Sequence, residues 1–213
     1  MTITVTLHEG DQVIRKAQRD AYRKLQQSKQ RRTKGGNFTF TDMERIAAVT
    51  SEIDATYLGY LMYLQTFIDY ETNALVIGRG KWPLTRRDMV EGLGITLETF
   101  RTFYAVMERY SIIMEVDGRF IMNEDYHFRG AAEGRRVVKT YDDRLRKIYA
   151  SLPTRKVRQL GYLYRLLPYI HLETNMLCWN PFETDPSEIR AMNKREIAVT
   201  LDIDEKTAYR LLQ

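Results

Sequence analysis

The chain repeats itself. Leu58-Gly59-Tyr60-Leu61 returns as Leu160-Gly161-Tyr162-Leu163, Leu64 and Ile68 return as Leu166 and Ile170, and Glu71-Thr72-Asn73 returns as Glu173-Thr174-Asn175. With Leu75 matching Leu177, there are ten identities in the 18 positions from 58 to 75. A six-residue insertion follows in the second copy, around Pro181 to Glu188, and then the match resumes. Leu84-Thr85-Arg86-Arg87-Asp88-Met89 parallels Met192-Asn193-Lys194-Arg195-Glu196-Ile197, and Leu93, Ile95 and Thr99 parallel Leu201, Ile203 and Thr207. Two copies of one supersecondary unit are the natural reading of such a pattern.

Each copy has the element order of a winged helix-turn-helix. In the first, Thr41-Asp42-Met43-Glu44 reads as a capping box that opens one long helix through Phe67. Ile46, Val49, Ile53, Tyr57, Leu61 and Leu64 recur along it at helical spacing. A short strand is expected over Ala74 to Ile77, then the loop Gly78-Arg79-Gly80-Lys81. Thr85 caps a second helix to Leu93, Gly94 supplies the turn, and Thr96 caps a third helix to Arg109. Asp117-Gly118 between the apolar runs 112–116 and 119–122 is a type I′ hairpin signal, and a hairpin in this place is the wing. In the second copy the third helix would begin near Asp204, and the sequence ends partway along it at Gln213, so a shortened chain is the expectation.

The expected fold is therefore mainly α with small β-hairpin wings. It consists of an N-terminal strand and basic helix (1–36), a first winged helix-turn-helix domain (37–130), a basic connecting helix (131–152) and a second such domain from 153. Residues 2–7 alternate Thr-Ile-Thr-Val-Thr-Leu, a strand pattern, and Asp11 to Arg32 reads as a long basic helix. Its narrow apolar seam of Ile14, Ala17, Ala21 and Leu25 could support a homodimer. Arg136 to Leu152 reads as a helix with Val137, Tyr141, Leu145 and Ile148 on one face. Such a rod would space the copies by roughly 25 Å.

Charge points to a partner. Lys and Arg outnumber Asp and Glu by 33 to 28, and the excess is concentrated. Residues 11–34 hold nine basic and two acidic side chains, residues 129–158 ten and three, and the rest of the chain fourteen and twenty-three. Two basic segments on an acidic body fit a polyanion contact; solvated helix faces are the alternative. Hydrophobic residues at 44% exclude wholesale disorder, and no apolar run nears the ~18 residues of a bilayer span. The start MTITVTLHEGD has no secretory pattern, and the single Cys178, in an apolar run, reads as core packing in a reducing cytoplasm.

In the first copy, Ile95, Phe100, Tyr104 and Met107 are expected to face the core. Leu97, Glu98, Arg101 and Thr102 then point outward from the half of the helix that enters a major groove. Arg101 suits a guanine edge, Thr102 a thymine methyl or a phosphate. Arg86 and Arg87 open the preceding helix, a common phosphate contact, and Arg119 sits at the wing tip. The second-copy counterparts are Lys194, Arg195, Glu205, Lys206, Tyr209 and Arg210. Winged helices also bind proteins, so an interaction adaptor, for example a modifier of host polymerase, is the alternative class. Phosphate neutralisation by the two basic segments favours double-stranded DNA.

No catalytic set is apparent, and no metal, cofactor or small-molecule substrate is expected. His8, His127 and His171 form no HxH pair, which a tyrosine nuclease of the rolling-circle type would need. Gly78-Arg79-Gly80-Lys81 lacks the GxxxxGK[ST] spacing of a phosphate loop. The repeated Glu-Thr-Asn reads as a structural turn, because Asn tolerates left-handed backbone.

Asn37-Phe38-Thr39-Phe40, the Leu-Gly-Tyr-Leu block with Tyr70-Glu71-Thr72-Asn73, the helix-turn-helix and the ending Asn123-Glu124-Asp125-Tyr126-His127-Phe128-Arg129-Gly130 stand together in the first copy. Together they resemble the winged-helix replication proteins of Firmicute plasmids and phages (RepL-like), and more distantly MarR-type regulators. The resemblance covers residues 37 to 130; Glu124 replaces the family's usual Pro. It implies origin or operator binding without chemistry of its own.

Overall fold

A computed structural model describes residues 37–78 and 80–212. The expected strand at 2–7 and the basic helix from Asp11 lie outside the described residues. In chain order the described elements are β1 (Phe38–Asp42), α1 (Met43–Ala47), α2 (Ala55–Leu64), β2 (Val76–Ile77) and β3 (Trp82–Pro83). Then come α3 (Arg86–Leu93), α4 (Leu97–Arg109), β4 (Ile113–Val116), β5 (Arg119–Met122), β6 (His127–Phe128) and β7 (Val137–Tyr141). The last are α5 (Asp142–Ser151), α6 (Arg158–Leu166), α7 (Lys194–Leu201) and α8 (Glu205–Leu211). The fold is mixed, roughly half helical, with small antiparallel sheets ordered β6-β1-β7, β2-β3 and β4-β5. No helix among the described residues is long and apolar enough to cross a membrane.

The long first helix expected from Thr41 to Phe67 is two helices with a break at 48–54. Thr41 is not its cap. The alternating Phe-Thr-Phe-Thr forms β1 instead, and Asp42 caps α1 by accepting from the Glu44 and Arg45 amides. A distant side chain sustains the break: the Arg165 guanidinium donates to the carbonyls of Thr50 and Ile53 at 3.1 and 2.7 Å. Asp54 then restarts the helix by accepting from Thr56 N.

The connecting helix expected at 136–152 is also replaced. Its first residues form β7, which pairs along the whole length of β1, and only Asp142–Ser151 is helical. Val137, Val138 and Thr140 are β-branched, so a strand was open to them as soon as a partner edge existed. Leu145 faces inward as expected, joined by Tyr149, while Tyr141 and Ile148 are exposed. With no 17-residue rod, the 25 Å spacing does not apply.

The copies instead meet directly, α2 against α6. The repeated glycines make the crossing close: a Cβ on Gly161 would overlap the Ala55 carbonyl oxygen, and one on Gly59 would sit 2.8 Å from Val157 Cγ1. One core runs through both copies, with Leu58, Leu61, Met89, Phe103, Leu160 and Tyr164 among its members. A smaller cluster of Tyr162, Leu166, Met192, Ile197 and Leu201 lies under the second helix pair.

Between the copies runs a buried polar chain. Tyr164 Oη lies 2.7 Å from His127 Nε2, His127 Nδ1 lies 3.1 Å from Thr41 Oγ1, and the Thr41 hydroxyl donates to Gln65 Oε1 at 3.0 Å. Because the Thr41 proton is committed to Gln65, the chain is consistent when His127 Nδ1–H donates and Nε2 accepts from Tyr164. Full burial favours the neutral ring and pushes the His127 pKa down to about 3.

Gly92, inside α3, differs from Gly59 and Gly161. An added Cβ would meet only Tyr63 ring atoms at 3.6 Å. Gly92→Ala is expected to stabilise the protein by about 0.5–1 kcal/mol through helix propensity, read as a higher urea midpoint at unchanged slope.

Candidate nucleic-acid interface

Local signals build the first helix pair as expected. Thr85 caps α3 and closes a capping box with Asp88, Gly94 takes the left-handed conformation at φ 65°, and Thr96 caps α4. On the inner face of α4 Phe100, Phe103 and Met107 are buried. Phe103 fills the place expected for Tyr104, which is half-buried with its hydroxyl toward Glu108. The β4–β5 hairpin turns at Asp117 and Gly118, both left-handed (φ 50° and 71°). Leu75 N donates to Phe120 O and Met122 N to Asn73 O, which fastens the hairpin to the body.

The second pair repeats this device by device. Asn193 caps α7 with Glu196 closing the box, Asp202 is left-handed (φ 54°), and Asp204 caps α8. The Glu-Thr-Asn turns match as well. Asn73 and Asn175 are left-handed at φ 55° and 57°. Asp69 accepts from the Thr72 amide and hydroxyl where His171 Nδ1 meets those of Thr174. Burial alone would raise the Asp69 pKa, but bonds from Lys81, Thr72 and Glu71 bring it to about 2. Asn73 also donates to the Met122 and His127 carbonyls. These residues hold backbone.

The outward residues of α4 are where they were expected. Leu97 is 49% exposed, and Glu98, Arg101 and Thr102 are exposed too. Their charges are partly paired: Arg101 with Glu98 at 3.7 Å, Arg87 with Glu91 at 2.8 Å, and Arg86 with Glu115 of the hairpin at 2.5 Å. Exposed pairs like these hold weakly, so a phosphate can take the place of the carboxylate. Arg119, beside the hairpin turn, is exposed with no carboxylate at ion-pair distance among the described residues. In the second copy Lys206, Tyr209 and Arg210 are exposed, Lys194 Nζ lies 4.6 Å from the Tyr209 ring centroid, and Arg195 reaches Glu205 at 4.0 Å.

Two cations of the basic segment at 129–158 are drawn into the fold, and several others carry acidic or aromatic neighbours. Arg129 is half-buried and pairs with the buried Asp142, Arg136 pairs with Glu44 and covers the Phe182 ring, and Arg158 reaches Asp54. Arg135, Lys139, Arg144 and Arg146 lie over Phe128, Phe38, Tyr141 and Phe67. Arg129 and Arg146 are partly buried by these contacts, while Arg135, Arg136, Lys139, Arg144 and Arg158 stay exposed and are held only by surface pairs and ring contacts. Lys81 of the glycine-containing loop is likewise paired with Asp69 at 2.9 Å, and Cys178 is buried. Two contributors escaped sequence reasoning: Glu115, which orders Arg86, and Arg165, whose only sign was that it breaks the repeat opposite Tyr63.

No family model, curated protein or solved structure matches the chain.

Proposed function

We propose that the chain is a sequence-specific double-stranded DNA-binding protein of plasmid or phage type, with tandem winged helix-turn-helix units. It acts in the cytoplasm in replication initiation or transcriptional regulation, without chemistry of its own. The observation that supports this best is the capped α3–turn–α4 pair. It offers Arg101 and Thr102 from the exposed first half of α4, beside a hairpin that carries Arg119 near its turn. Helix-turn-helix readers present base-contacting side chains from that half of the second helix.

Arg101→Ala is expected to cost about 1–3 kcal/mol on the duplex that the wild-type chain selects from a random pool, with discrimination relaxed at one position. Fluorescence anisotropy at two salt concentrations reads both effects. A loss equal on all sequences would make Arg101 a phosphate contact, and binding insensitive to salt would argue against the DNA reading altogether.

A protein-interaction adaptor is the second reading, favoured by Val199 of α7, which is 73% exposed. Nuclease-resistant co-purification with a host polymerase subunit, without salt-sensitive DNA retention, would support it. The proposed homodimer contact through the basic segment 11–32 is tested by hydrodynamics of the full chain against one lacking residues 1–36; an unchanged mass would overturn it.

A further inference from the structure

The contacts between the copies are reciprocal. Gly59 of α2 packs on Val157, and Gly161 of α6 packs on Ala55. In the repeat Gly59 corresponds to Gly161 and Ala55 to Val157, so exchanging the copies turns one contact into the other. The strand pairing is compatible with that relation. β1 and β7 each lead directly into the helix that precedes α2 or α6, and they pair antiparallel. Phe38 meets Tyr141 and Asp42 meets Val137, a register centred on Phe40 and Lys139 that is unchanged when the strands are exchanged. A head-to-tail array presents two different surfaces at its contact, whereas an isologous contact requires a two-fold axis. The reciprocal helix contacts therefore give the chain an internal pseudo-dyad.

The dyad extends to the helix pairs. Tyr60, Leu64, Leu84, Met89 and Leu93 hold α3–α4 to the core, and their repeat counterparts Tyr162, Leu166, Met192, Ile197 and Leu201 hold α7–α8. Identical seating on two symmetry-related helices makes α4 and α8 dyad mates.

From this geometry, and resting on the DNA-binding reading above, we infer that one chain reads one inverted repeat whose two half-sites differ in sequence. Protein two-fold symmetry is mirrored by operator palindromy. The half-sites differ because the reading residues do: Leu97, Glu98, Arg101 and Thr102 on α4 stand opposite Glu205, Lys206, Tyr209 and Arg210 on α8. A single chain thus does what symmetric regulators do with two, and it fixes which way round it sits.

The test uses the full chain and a pool of duplexes with about 30 random base pairs. The bound fraction is sequenced for the wild type, Arg101→Ala and Arg210→Ala, and mass per duplex is measured by sedimentation. Two half-sites in inverted orientation, about one helical turn apart, with one chain per duplex, are expected. Arg101→Ala should blur one half only and Arg210→Ala the other only, each weakening its own site roughly ten- to hundred-fold. Both side chains are exposed, so unchanged circular dichroism will show that folding is intact. A direct repeat, a single half-site, both variants blurring the same half, or two chains per inverted repeat would each overturn the inference while leaving DNA binding standing. Absence of any salt-sensitive retention would overturn both.

Discussion

Gly161→Ala should lower the melting temperature by roughly 6–12 °C, the equivalent of about 3 kcal/mol in a chain of this size. The new methyl group would overlap the Ala55 carbonyl oxygen and sit 2.8 Å from Ala55 Cα. These are backbone atoms, so no rotamer change relieves the clash and α6 must move away from α2. That movement loosens a core shared by both copies, including Leu58, Leu61, Leu160 and Tyr164. Gly59→Ala should act in the same direction with a smaller effect, because its methyl group would also meet a backbone oxygen, that of Val157, but with less overlap than Gly161 has with Ala55. Calorimetry of both variants beside Gly92→Ala checks the point. An unchanged transition for Gly161→Ala would mean that the helices do not cross at this glycine.

Stability should also fall steeply on mild acidification, by about 2 kcal/mol between pH 6.5 and pH 5. The cause is His127. In the unfolded chain its imidazole takes up a proton near pH 6.5, while in the native protein burial holds its pKa down at about 3. Over that interval the unfolded state binds more protons, so stability is present above pH 6.5 and is lost as pH falls toward 3. Protonation would also oblige Nε2 to donate where it now accepts from Tyr164. Urea midpoints from pH 7 to 5 should show the slope, and His127→Gln, although less stable at pH 7, should flatten it. A wild-type midpoint independent of pH over that range would show that His127 is not buried as a neutral ring.

What was legible in the sequence was local. Thr85 with Asp88, Gly94, Thr96 and Asp117-Gly118 each act within a few residues of themselves, and α3, α4 and the hairpin follow from them. The outward set from Leu97 to Thr102 came with α4. What was not legible depends on partners far along the chain. Residues 48–54 leave the helix because Arg165 takes the Thr50 and Ile53 carbonyls. Residues 137–141 satisfy both a helical and a strand pattern, and β1 decides between them. Phe103 and Tyr104 fit the helical stripe equally well, and only the packing of Phe103 against Tyr57 and Tyr60 separates them. The cations of 129–158 looked free because the aromatic rings and acids they meet are mostly distant in sequence.

The pairing of β1 with β7 also sets a timetable for biosynthesis. Thr39 bonds Asp142 across 103 residues of chain, so at about 5–20 residues per second the ribosome needs roughly 5–20 s to supply the second partner after the first has emerged. During that interval the nascent β1 edge presents open N–H and C=O groups to any other nascent or misfolded strand. Slower elongation lengthens the exposure, and the stability of the finished protein does nothing to shorten it. Aggregation losses during expression should therefore track translation speed between codons 40 and 141 rather than the melting temperature of the purified product.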